Sequence, residues 1–236
     1  GVALEYMIAL SNLLEADPWF NIPHMATDEF VTEFATIVKN SLKPNLKVYV
    51  EYTNEAFNTH YAFQQNPWIR QKEEELGLAP SHGMHFFSMR TGQVMDLFKN
   101  VFGNDSNRLV RILGGFAVNT WWNEHLLTYQ DAYKKVDALA IAPYFGAPLG
   151  NPVFDSQGRP TSVPAIQGWS LDDIFDEIFN GGRLPSGQEP PSALARAEKY
   201  MIDNVALAKK YSIDLLGYEG GQHLVGIMGI ENHPDI

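Results

Sequence analysis

The stretch Lys47-Val48-Tyr49-Val50-Glu51-Tyr52, followed at once by Thr53-Asn54-Glu55, decides the fold class. Its β-branched and aromatic residues favour an extended strand, and the polar run after Tyr52 turns it into a loop. A long helical region follows, which the prolines at 67 and 80 are expected to break. The same grammar recurs on both sides. Upstream, Leu4, Met7, Ile8, Leu10, Leu13 and Leu14 recur near helical spacing until Asp17-Pro18, and Trp19-Phe20-Asn21-Ile22 is a short apolar strand stopped by Pro23. Thr27 then caps an amphipathic helix with Phe30, Val31, Phe34, Ile37 and Val38 on one face and acids in its first turn. Downstream, a helix from Met84 to Val101 stops at Gly103-Asn104. Leu109–Leu113 is a strand closed by Gly114-Gly115, Trp121–Val136 a helix, and Asp137–Ala142 another strand. Residues 147–169 are rich in Pro, Gly and Gln and read as a long loop. Helices near 171–179 and 193–211 lead to the last strand, Ile213–Tyr218.

Five strands separated by helices are the βαβ pattern of a parallel sheet, so the chain is expected to be α/β. An open doubly wound sheet and a barrel both satisfy that pattern. No G-x-G-x-x-G or G-x-x-x-x-G-K-[ST] run follows any strand, which removes the main reason to choose a nucleotide-binding open sheet and favours the barrel. A (β/α)8 barrel needs about 250 residues and eight strands, whereas this chain has 236 residues and five visible strands. Residues 1–236 are therefore expected to be the central part of a single barrel domain, with 147–192 as a loop and helix insertion.

Charge narrows the partners. Seventeen basic against 28 acidic residues give a net charge of −11, which repels nucleic acid and anionic membranes and fits a neutral or cationic substrate. There is no cysteine, hence no thiolate metal site or thiol nucleophile. No apolar run reaches the roughly 18 residues of a membrane span, and Gly1 opens no signal-peptide pattern.

In parallel α/β folds the reactive groups collect where strands end. Those exits carry Asn21 and His24; Tyr52, Asn54 and Glu55; Gly114, Asn119, Trp121 and Trp122; Tyr144; and Tyr218, Glu219, Gln222 and His223. Aromatic rings beside amides, imidazoles and phenols suit a sugar, whose faces stack and whose hydroxyls need partners. Two glutamates at separate strand ends are what a glycosidase needs.

These residues also carry a resemblance. Val50-Glu51-Tyr52-Thr53-Asn54-Glu55-Ala56-Phe57-Asn58 resembles the fourth-strand motif of the clan A glycoside hydrolases, especially the family 5-like cellulases and their relatives, in which Asn-Glu closes the strand. Tyr218-Glu219-Gly220-Gly221 is similar to the seventh-strand exit of that clan. The resemblance implies that Glu55 is the acid/base and Glu219 the nucleophile. It further implies that Tyr144 hydrogen-bonds the nucleophile, that Asn54 holds the sugar 2-hydroxyl and that His24 shapes the sugar site. It places the visible strands as barrel strands three to seven. The sequence departs from the family at Ala142, where a His is usual, and lacks the early Arg, the first two strands and the eighth-strand Trp. The substrate is therefore not carried over from the cellulases.

The expectation is a retaining glycosidase acting on a neutral β-linked oligo- or polysaccharide, without metal or organic cofactor and extracellular in location. Trp121, Trp122 and His223 are expected to touch the sugar. Glu51, mid-strand, reads as structural, and His82 and His85 read as ordinary surface or packing histidines. Asn104–Asn107 reads as a turn and not as a calcium loop. Trp169 fits either a sugar platform or a hydrophobic anchor. A carbohydrate-binding scaffold without turnover is the alternative motivated by Ala142, and a metal-dependent hydrolase using His24, His60 and His223 is a third reading.

Overall fold

A computed structural model describes residues 2–184 and 190–234. In chain order its strands are β1 (Trp19–Ile22), β2 (Val48–Tyr52), β3 (Leu109–Gly114), β4 (Ala138–Ile141), β5 (Tyr144–Phe145), β6 (Pro152–Phe154), β7 (Pro160–Pro164), β8 (Asp214–Gly217) and β9 (Gly221–Gln222). Its α-helices are α1 (Leu4–Leu14), α2 (Asp28–Ser41), α3 (Gln65–Glu75), α4 (Met84–Phe102), α5 (Thr120–Thr128), α6 (Leu171–Phe179) and α7 (Ala193–Lys210). The chain divides into two compact units, Gly1–Ile141 with Val205–Leu216, and Ala142–Asn204 with Gly217–Ile236.

The first unit is built on a five-stranded parallel sheet in the order β1-β2-β3-β4-β8. Pairing is in parallel register, with Phe20 opposite Val50, Val50 opposite Arg111 and Ile112 opposite Ala138. The five strands expected from the sequence are these five, each within a residue or two of its expected ends. The fold is α/β, and among the described residues no closed barrel is formed. Strand alternation sorts the faces. Phe20, Ile22, Val48, Val50 and Tyr52 enter the main apolar core with Val31 and Val38 of α2, Phe87, Val94 and Phe98 of α4, and Leu126 and Leu127 of α5. Each fully buried side chain of this size contributes about 1.5–3 kcal/mol. The opposite face of β1 and β2 carries Trp19 stacked on Tyr49, ring centroids 5.6 Å apart, and the fully buried Glu51.

Local chemistry sets the helix ends. Thr27 accepts a hydrogen bond from Phe30 N at 3.2 Å, the cap expected from the sequence. Pro67 does not break a helix: it lies in the first turn of α3, where its missing N–H would have had no partner. The helix expected over Trp121–Val136 is shorter. α5 ends at Thr128, and Gln130 and Asp131 take left-handed backbone angles (φ 49° and 58°) within a 3-10 turn, Tyr129–Lys134, which no continuous α-helix accommodates. His85 stacks on Tyr129 at 4.1 Å, and its Nδ1 lies 2.7 Å from the Ala79 carbonyl, which gives it the packing role read from sequence.

The second unit holds the segment read as a long loop. It contains a 3-10 turn, Ala147–Gly150, and an antiparallel hairpin of β6 with β7. Asp155 organises the turn of that hairpin, accepting from Gln157 N and Arg159 N at 2.9 Å each and from Arg159 Nε at 2.8 Å. Leu149, Ile178 and Leu184 form a small core here. Trp169 packs against it with the Arg183 guanidinium 5.9 Å from its ring, so Trp169 anchors this core. α6 starts with a reciprocal capping box between Ser170 and Asp173. No helix among the described residues is long and apolar enough to cross a membrane.

Candidate active site

In the first unit the candidate acid/base stands on a loop fixed from several sides. Glu55 follows β2 by three residues and has a left-handed backbone, φ 47°, as does Thr53 at φ 50°. Asn58 Nδ2 donates to Glu55 Oε2 at 2.8 Å, and Asn58 N donates to Glu55 O at 2.9 Å. The start of α3 holds the neighbouring backbone. Gln65 Nε2 donates to Asn54 O at 2.7 Å, and Asn66 Nδ2, which is buried, donates to Ala56 O at 2.8 Å. Phe57 stacks on Phe116 of the loop after β3, with centroids 4.4 Å apart and planes 14° apart. That stack ties two strand exits together, and nothing in the local pattern of either segment announces it.

His24 belongs to the same unit. Its carbonyl accepts the Tyr52 hydroxyl at 2.7 Å, and its ring meets Trp68 edge-on at 5.5 Å. Burial holds the imidazole below its ordinary value of 6.5, which favours the neutral ring. Burial likewise raises the Tyr52 phenol, only partly offset by the Arg90 charge, so it stays a proton donor. On α5, Trp122 packs against the main core, while Trp121 is 58% exposed and leans on His125 at 3.9 Å. Trp121 is thus the more exposed ring of the pair, and Trp122 is half-buried. Asn119 caps the helix by accepting from Trp122 N at 3.0 Å.

Glu51, read as structural, is engaged as such. Trp19 Nε1 donates to its Oε2 at 3.0 Å, and its Oε1 lies over the Cα of Gly114, where a side chain would collide with it. Gly114 therefore leaves the space that this buried carboxylate occupies.

The second unit gathers the other cluster. β5 and β9 pair in parallel, Tyr144 opposite Gly221 and Phe145 opposite Gln222. Two residues before β9, Glu219 receives the Tyr144 hydroxyl on Oε2 at 2.8 Å. His223 N donates to Phe145 O at 2.7 Å, which sets the His223 ring edge-on to Tyr144 at 5.8 Å. Its Nδ1 is buried with no hydrogen-bond partner among the described residues. Tyr144, Glu219 and His223 are therefore brought together, while Asn54, Glu55 and His24 lie in the first unit. Among the described residues no group of three or more His, Asp or Glu is arranged to hold a metal ion.

The chemistry available is that of exposed or half-exposed carboxylates held by neutral donors, next to aromatic rings. Sequence reasoning missed Asn58, which fixes Glu55, and the β5–β9 pairing, which delivers Tyr144 to Glu219. The first could have been sought as an i, i+3 amide after a strand-end carboxylate; a two-residue strand leaves no periodicity to find. No protein-family model matches the chain, and no curated protein matches it either.

Proposed function

We propose that the protein is a retaining glycoside hydrolase acting on a neutral β-linked oligo- or polysaccharide, with Glu219 as nucleophile and Glu55 as acid/base. The observation that carries this reading is the hydrogen bond from Tyr144 to Glu219, the pairing implied by the clan A resemblance for a nucleophile and its orienting tyrosine. Glu219 attacks the anomeric carbon as Glu55 gives its proton to the departing oxygen, and Glu55 then takes a proton from the water that releases the sugar. Asn58 engages Glu55 Oε2, so Oε1 is the oxygen that carries the transferred proton. Asn54, His24, Trp121, Trp122 and His223 are the sugar-contacting residues of this reading.

We read the sheet as part of a (β/α)8 barrel. In support, every strand of the order β1-β2-β3-β4-β8 lies beside its predecessor in that sheet, with no reversal of the kind that marks a doubly wound fold. A buried carboxylate on the face of β2 away from the helices also fits a barrel lumen.

The test compares leaving groups. Glu219→Gln should abolish hydrolysis of all β-glycosides, whereas Glu55→Gln should lose unactivated oligosaccharides far more than aryl glycosides whose leaving group needs no proton. The first-formed sugar should keep its anomeric configuration by proton NMR. Activity in both variants, or an inverted product, would overturn the assignment.

A further inference from the structure

Within the first unit, the chain between Thr59 and His82 encloses a groove of about 970 Å³, at the upper end of the range for ligand pockets. Its walls are the loop before α3, one face of α3 and the loop after it. We propose that this groove is a second carbohydrate site, which binds an uncharged glycan segment apart from the residues assigned to catalysis. The choice of a sugar rests on the glycosidase reading; the existence of the site rests on the groove itself.

One wall is a stacking surface already in place. Tyr61 is 84% exposed, yet its ring lies 4.2 Å from that of His60, with Phe63 edge-on to His60 at 6.5 Å. Ala62 N donates to His60 Nδ1, and Gln64 Nε2 donates to Tyr61 O at 2.6 Å, so backbone and side chain both hold the rings. An exposed, oriented aromatic surface of this kind meets the face of a pyranose at little cost in ordering. A second part of the lining is rigid as well. Glu73 of α3 accepts from Ser81 N at 2.9 Å, Gly83 N at 3.0 Å, His85 N at 3.2 Å and the Ser81 hydroxyl. That carboxylate fastens the loop after α3, part of the same lining, to the helix, and the groove is preformed.

Charge selects the ligand. Glu73 is saturated by its four donors but keeps its charge, and with Arg70 and Glu74 the lining carries two carboxylates against one guanidinium. Arg70 is exposed and has no hydrogen-bond or ion-pair partner among the described residues, which leaves its guanidinium to meet hydroxyls. A lining with this excess of one negative charge disfavours an anion, and it pairs ring faces with hydroxyl partners.

The test uses the full chain carrying Glu219→Gln, which turns over no sugar on the glycosidase reading, titrated with cellohexaose, xylohexaose and mannohexaose, with trigalacturonate as an anionic comparison, while backbone amide shifts are followed. At least one neutral hexaose is expected to move the signals of residues 59–82. Tyr61→Ala and Arg70→Ala, both at exposed positions, should each weaken it about fivefold or more with unchanged melting. No shift in that segment with any neutral hexaose, tighter binding of trigalacturonate, or parental affinity in both variants would overturn the proposal. Hydrolysis plays no part in this readout, so inactivity of the enzyme would count against the glycosidase reading and leave the groove to be judged on its shifts.

Discussion

Tyr144 donates its phenol proton to Glu219 Oε2 at 2.8 Å, across a backbone pairing that sets Tyr144 opposite Gly221. The bond fixes one oxygen of the carboxylate and thereby the direction of the other. Tyr144→Phe should lower kcat/KM for a β-glycoside about tenfold, equivalent to about 1.4 kcal/mol of lost transition-state stabilisation. Melting should hardly move, because the bond lies at an exposed position. Steady-state kinetics beside a thermal melt separates the two effects.

Tyr52→Phe should act in the opposite sense, on stability. The Tyr52 ring is fully buried and its hydroxyl satisfies the His24 carbonyl. Removing the hydroxyl leaves that acceptor without its donor, at about 1–3 kcal/mol. A urea titration should show a lower midpoint with an unchanged slope.

Glu73 makes stability depend on pH. Its burial raises the carboxyl, but the hydrogen bonds from Ser81, Gly83 and His85 outweigh that and hold it below the ordinary 4.5. The folded state therefore favours the ionised form. This contribution is complete above about pH 4.5 and is lost as the pH falls through the lower folded value. Unfolding free energy measured between pH 6 and 3 should fall more steeply in the parent than in Glu73→Gln, whose amide does not titrate. Equal slopes would show that the loop does not feel this carboxylate.

Two glycines of the second unit should behave differently. A Cβ at Gly150 would run into the Val225 carbonyl, beside the bond from Ile227 N to Gly150 O at 3.1 Å. A Cβ at Gly220 would meet only Pro143 Cδ at 3.9 Å, an ordinary contact. Gly150→Ala should loosen the 217–234 segment and expose it to limited proteolysis, whereas Gly220→Ala should leave the digestion pattern unchanged.

The α/β class was legible because strands such as Val48–Tyr52 are dense in β-branched and aromatic residues and are punctuated by Pro, Gly and Asn. Helix starts were legible where a cap is local, as at Thr27. Reading failed where the deciding contact is distant or the element too short. Gln130 and Asp131 interrupt a helix that composition alone would continue, and the β6–β7 hairpin depends on the turn that Asp155 opens. The Tyr144–Glu219 bond came from the resemblance, not from any pattern in the residues. The Phe57–Phe116 stack could come from neither.

Thr53 and Glu55 both hold left-handed backbone without being glycine. Each carries about 1–2 kcal/mol of conformational cost that a glycine would remove. On the proposed assignment, Glu55→Gly should therefore yield a chain more resistant to unfolding and devoid of acid catalysis. At this bend the backbone alone would favour glycine, so the side chain that Asn58 grips stands there at the expense of local ease.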